Sequence, residues 1–294
     1  MRIRPDTSRK IFNNPLPPKI VWEEQFDHFD NKLKKIANQN WKEIDSNDLW
    51  YYFLDLAYVE LQPELFNYLF PVCLNFWYDS LMRSESTELG LYDLHDVIYR
   101  GDILTKMLTD GQRIKVLDFF HDGFIDRIEA ERGFMYSGKQ TPAYSWINRL
   151  NSMGYIAPII EKIWSSWWKL DHPGKAVSAI KWASGLIYLK GENPIFSEWT
   201  PNEGGGGPYL TASDSSIKDG WLDENVIFFQ NTLSFEYIQS KITMAATVLS
   251  SEPEGKIAKN IASDVKLKKD IIEIRIDDLI EGLANPDMIT DFDF

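Results

Sequence analysis

Apolar residues recur at steps of three and four along most of this chain, and each periodic stretch opens with a recognisable start signal. Phe26, Phe29, Leu33 and Ile36 form the first stretch, with Glu23 and Glu24 ahead and Lys32, Lys34 and Lys35 behind, an order that suits a helix dipole. Asp45 or Ser46 caps a second carrying Leu49, Phe53, Leu56 and Val59. Pro63 takes the first position of a third that runs to about Met82. Thr109 or Asp110 opens a long amphipathic stretch ending at Gly133. Thr141-Pro142 and Ala157-Pro158 open two Trp-rich segments, and Pro173-Gly174 opens one that runs to Gly191. No segment alternates cleanly at period two, so the pattern predicts an all-α fold.

The exception is the stretch from Gly191 to Trp221. Pro194, Pro201, Pro208, Gly204 to Gly207 and Ser213 to Ser216 rule out a long helix there. Beyond it, Phe228 to Leu249 and Ile257 to Leu283 predict a helical hairpin turning near Pro253. The expected organisation is a single multi-helix domain: an extended basic arm over 1–21, a helical body over 22–190, a long Gly/Pro-rich loop over 191–222, and a C-terminal hairpin over 223–294 packed on the body. The arm carries a net charge of +4, whereas residues 270–294 hold eight acids and one base, Arg275.

Composition narrows the class. With 294 residues and 44% hydrophobic side chains, the chain has enough apolar surface to bury a core. A net charge of −13 argues against unspecific nucleic-acid binding. The longest apolar run, Tyr68 to Tyr78, contains Pro71 and Asn75 and is too short for a membrane helix. The opening residues lack the apolar core of a secretory signal. A lone cysteine, Cys73, fits a reducing cytoplasm. The expected setting is therefore cytoplasmic, away from membranes and nucleic acid.

Catalytic signatures are sparse. Gly138-Lys139, Gly174-Lys175 and Gly255-Lys256 lack the Ser or Thr of a P-loop, and there is no G-x-S-x-G, H-E-x-x-H or cysteine pair. His95, His121, Asp122 and Asp171 have the order of the metal ligands in helical phosphohydrolases of the HD superfamily, and Phe119-Phe120-His121-Asp122-Gly123 is similar to their motif. That resemblance implies a divalent metal activating water. On a helical wheel Ile114, Leu117, Phe120, Phe124, Ile125 and Ile128 share one face, and Asp118, Asp122, Asp126 and Glu129 form an acidic stripe on another. That stripe is either a solvated outer face or a surface for a basic partner. Trp199, Tyr209 and Trp221 border the Gly-rich segment, where aromatics either pin the loop or offer a binding platform. Trp164, Trp167 and Trp168 have the spacing of core residues.

Glu60-Leu-Gln-Pro-Glu-Leu-Phe-Asn-Tyr-Leu-Phe-Pro71, Ala130-Glu-Arg-Gly-Phe134 continuing to Thr141-Pro-Ala-Tyr-Ser-Trp146, and Trp199-Thr-Pro-Asn-Glu-Gly-Gly-Gly-Gly-Pro-Tyr-Leu210 together resemble an uncharacterised group of bacterial helical proteins. The resemblance spans most of residues 45–285 and brings no activity and no site residues. The composition also looks like that of bacterial immunity and accessory proteins, which are acidic, aromatic-rich and helical without a catalytic motif. The leading expectation is a cytoplasmic, non-catalytic protein-binding module, an immunity-type or regulatory inhibitor of a basic partner. It would use Asp118, Asp122, Asp126, Glu129, Trp199, Tyr209 and Trp221, and need no cofactor. Two alternatives stay open: the HD-type phosphohydrolase, and a small-molecule or carbohydrate binder.

Overall fold

The computed structural model describes residues 6–83, 91–134, 143–145, 154, 157–188, 192–195 and 221–285. Thirteen α-helices and two short 3-10 turns occupy them, with no strand among the described residues. No helix among them is long and apolar enough to cross a membrane. Contacts divide the chain into two compact units, 1–126 and 127–294, and the division falls inside a helix rather than at a loop.

Unit 1 holds α1 (Thr7–Ile11), α2 (Asp30–Asn38), α3 (Ser46–Tyr58), α4 (Pro63–Arg83), α5 (Leu91–Arg100), α6 (Ile103–Lys106) and most of α7 (Asp110–Ala130). Several starts follow the sequence. The Asp45 carboxylate accepts from the Asn47 amide at 2.8 Å, and Pro63 begins α4. Thr109 and Gln112 form a reciprocal cap at the head of α7, where each side chain accepts from the other residue's amide. α4 is the spine of the unit. It buries Leu65, Phe66, Leu69, Phe70 and Trp77, and Trp77 meets Phe120 of α7 edge-on at 4.8 Å. Gly123 makes that approach possible, since a Cβ there would lie 2.6 Å from the Trp77 ring.

Two segments of unit 1 differ from the sequence pattern. Part of the supposed N-terminal arm is helical: α1 lies on α4, with Phe12 edge-on to Phe66 and Phe70 and Arg9 over the rings of Trp41 and Tyr68. The periodic spacing of Phe26, Phe29, Leu33 and Ile36 predicts a helix from about Phe26, yet α2 starts only at Asp30. The preceding residues run as an extended strap along α3. Their amides find side-chain acceptors instead of helical carbonyls: Trp22 donates to Gln62 at 2.9 Å, and Phe26 to Asp55 at 2.9 Å.

Unit 2 holds the last residues of α7, then α8 (Ile160–Trp167), α9 (Pro173–Ile187), α10 (Asp223–Thr232), α11 (Phe235–Val248), α12 (Gly255–Val265) and α13 (Lys269–Ala284). α9 is central, with every residue from Gly174 to Ile187 buried, and α11, α12 and α13 pack against it. Trp164 stacks on Trp168 at 4.8 Å, and Trp182 meets both edge-on, confirming the core reading of the tryptophans. The C-terminal region is four helices rather than two long ones. Ser234 breaks the first stretch because its hydroxyl accepts from the Tyr237 amide and starts a new helix. The second stretch breaks over 266–268.

Candidate functional site

The acidic stripe of α7 is not one solvated face. Asp122 is exposed and lies 2.8 Å from His121 Nδ1. Asp118 is half-buried. Asp126 is buried and accepts from the Tyr78 hydroxyl at 3.0 Å, because α4 packs over it. In unit 2, half-buried Glu129 lies 3.3 Å from the Lys175 ammonium. The wheel separates apolar from acidic residues correctly, but the helix's packing direction decides which acids meet water. Ile114, placed on the apolar face, is itself exposed.

The proposed metal set does not form. Among the described residues no group of three or more His, Cys, Asp or Glu could hold a metal ion. His95 is buried, its Nε2 accepts from Trp77 Nε1 at 2.9 Å, and burial pushes its pKa down to about 3. Asp171 is held by Lys169 and Lys175, each at 2.8 Å, and these contacts keep its pKa near 2. His95 and Asp171 are thus each occupied by a structural partner, and His121 and Asp122 contact each other.

Of the three aromatics bordering the Gly-rich stretch, Trp199 and Tyr209 lie outside the described residues, as do Gly204 to Gly207. Trp221 is an anchor rather than a platform. It is buried, its amide donates to Leu283 O at 3.1 Å, and its ring covers Gly154 so closely that a Cβ there would lie 2.9 Å away.

Sequence reasoning missed a buried charge cluster in unit 2. Glu131 receives the Lys181 ammonium at 2.5 Å on one oxygen, and Arg127 at 3.0 Å and the Ala143 amide at 3.1 Å on the other. Lys181 has no exposed surface, and burial lowers its pKa to about 8 against the pull of Glu131. A signal was present in the chain. Lys175, Ser178, Lys181 and Ser184 repeat every third position through an otherwise apolar helix, and all four are buried. The cluster joins α9 to the segment after α7.

The outward side of α13 concentrates exposed acids. Of its two bases, Lys269 and Arg275, the second turns inward and donates to the carbonyls of Gly185 and Tyr188, both at 2.6 Å. Asp270, Glu273, Asp277 and Glu281 are exposed. Ile271 and Ile274 are also exposed, the latter at 61%. Lys269 at the helix start contacts Glu236 at 3.9 Å and Glu273 at 3.5 Å. Beside this face lies an open groove of about 490 Å³, lined in part by Gln230, Leu233, Asp277, Ile280 and Glu281.

No family model matches this chain, and no curated protein or solved structure matches it.

Proposed function

We propose that this protein is a non-catalytic, cytoplasmic binding module that covers a basic protein partner, in the manner of an immunity-type or regulatory inhibitor. The observation that carries the reading is the outward face of α13. It presents four exposed carboxylates around Ile271 and Ile274, while Arg275 is spent on buried carbonyls. Exposed acids raise the encounter rate with a basic surface, and the isoleucines between them supply apolar area that water gives up on contact. The recognition surface is thereby moved from α7, where Asp126 and Glu129 already have partners.

The test is affinity capture from the native host with the wild-type chain and with Glu273→Lys/Asp277→Lys. A basic protein retained by the first and lost by the second supports the reading. Its association rate should fall steeply as salt rises. Equal capture by both forms, or salt-independent association, would overturn it.

A further inference from the structure

The strap in unit 1 is built inside out. In the extended run from Trp22 to Phe26 side chains alternate, and the polar ones, Glu23 and Gln25, are buried while Trp22, Glu24 and Phe26 face water. Exposure reaches 50% for Trp22, 44% for Phe26, 43% for Phe29 and 49% for Tyr58 of α3. The arrangement is fixed from beneath. Gln62 accepts from the Trp22 amide and donates to Ile20 O at 2.8 Å, Glu23 accepts from the Gln62 amide at 2.6 Å, and Gln25 donates to Tyr51 O at 3.0 Å. Phe26 lies against Tyr58 and Phe29 against Tyr51, each with centroids 4.8 Å apart. Tyr51 and Tyr58 are seven residues apart on α3, so these ring pairs span about 10 Å of helix.

These aromatic rings already take a cation. Lys32 Nζ stands 3.8 Å from the Tyr51 centroid and 4.9 Å from that of Phe29. The neighbouring base Arg100 is neutralised by Asp96 at 2.6 Å. Exposed carboxylates sit among the rings: Glu24 between Trp22 and Phe26, Asp27 next to Phe26, and Glu60 beyond Tyr58. Exposed aromatics held rigidly and interleaved with acids match a cationic side chain, whose charge the ring faces and carboxylates both attract.

We infer that the Trp22–Phe26–Phe29–Tyr58 strip is a docking surface for an extended partner segment bearing arginine or lysine side chains. A second copy of this chain is a poor occupant, because each copy carries −13 and brings the same carboxylates to the contact. The inference does not depend on the acidic face of α13.

The probe is a fluorescent peptide alternating arginine and glycine, with a glutamate–glycine peptide as its counterpart. Both are titrated by anisotropy against the full chain at about 0.3 M salt, where contributions from distant exposed charge are screened. The arginine peptide should bind and the glutamate peptide should not. Trp22→Ala/Phe26→Ala should weaken binding about tenfold, and Glu24→Gln about twofold. Glu273→Lys/Asp277→Lys should leave binding at this strip in place, which separates its failure from failure of the α13 reading. Circular dichroism melting verifies that each variant folds. Equal affinity of wild type and Trp22→Ala/Phe26→Ala would overturn the inference. So would self-association of the wild-type chain, by light scattering, that the same double variant abolishes.

Discussion

In unit 1 the buried carboxyls of Glu23 and Asp55 meet backbone amides and, among the described residues, no cation, whereas in unit 2 the buried carboxylate of Glu131 meets Lys181 and Arg127. One oxygen of each unit 1 acid, Glu23 Oε1 and Asp55 Oδ2, has no hydrogen-bond partner, and neither has the buried Tyr52 hydroxyl close to both. Burial therefore pushes the Glu23 pKa up to about 8, against the Gln62 amide and with help from the Asp55 charge. Burial likewise lifts Asp55 to about 7, against the Phe26 amide, with Asp27 and Asp30 adding to the rise. Burial thus favours the protonated form of Glu23 and Asp55 in unit 1, whereas Glu131 in unit 2 is met by paired charges. The two solutions fail differently.

The largest effect belongs to the paired solution. Lys181→Met removes a fully buried ammonium and leaves Glu131 short of a counter-charge, and breaking a buried pair in this way costs about 3–5 kcal/mol. Urea unfolding should report that loss. Combining Lys181→Met with Glu131→Gln should recover much of it, because the stranded charge is then gone. A cost near zero for the single variant would break the contrast between the units.

The pH response should sharpen it. Between the ordinary carboxyl pKa and about 8, folded unit 1 binds more protons than the unfolded chain, so Glu23 and Asp55 make stability fall as pH rises. Lys181 has the opposite sign: from about 8 up to its ordinary 10.5 the unfolded chain holds the extra proton, so stability rises with pH. Hydrogen exchange can follow the units separately. The Trp22, Phe26 and Gln62 amides should exchange faster relative to the intrinsic rate at pH 8 than at pH 5. Glu23→Gln/Asp55→Asn should abolish that change and leave the Lys181 limb intact.

A smaller effect sits at Asp126, where a buried acid of unit 1 has a neutral donor. Tyr78→Phe removes one hydrogen bond to a carboxylate and should cost about 1–2 kcal/mol by urea unfolding. An effect as large as that of Lys181→Met would mean that Asp126 belongs with the paired class.

How far the chain could be read follows from these same residues. Helix type and most starts were legible because Asp45, Thr109, Pro63 and Pro173 act locally, through caps and fixed φ angles. The strap was not, because Phe26 and Phe29 keep helical spacing to Leu33 while the distant Asp55 and Gln62 take the backbone donors. The pairing of Glu131 with Lys181 spans fifty residues, so the polar repeat of α9 marks Lys181 as unusual but cannot name its partner. His95 and Asp171 carried a motif's order, but Trp77 on another helix claims the first and the nearby Lys169 and Lys175 claim the second. Local chemistry wrote the elements, and long-range contacts chose which polar side chains stay free.

The smallest expected effect tests that last point within a single helix. Asp122 and Asp126 are one turn apart on α7 and read alike on a wheel, yet Asp122 is exposed and Asp126 is buried. Asp122→Lys should shift the unfolding free energy by no more than about 0.5 kcal/mol, because an exposed charge is solvated in both folded and unfolded states and its contact with His121 is screened by water. Asp126→Lys places an ammonium in a buried position built to receive a hydroxyl donor, and it should destabilise the chain several times more. Thermal melts of the two variants side by side decide the matter. Equal losses would mean that Asp122 is held by contacts as firm as those of Asp126, and that α7 buries both of its acidic turns in the same way.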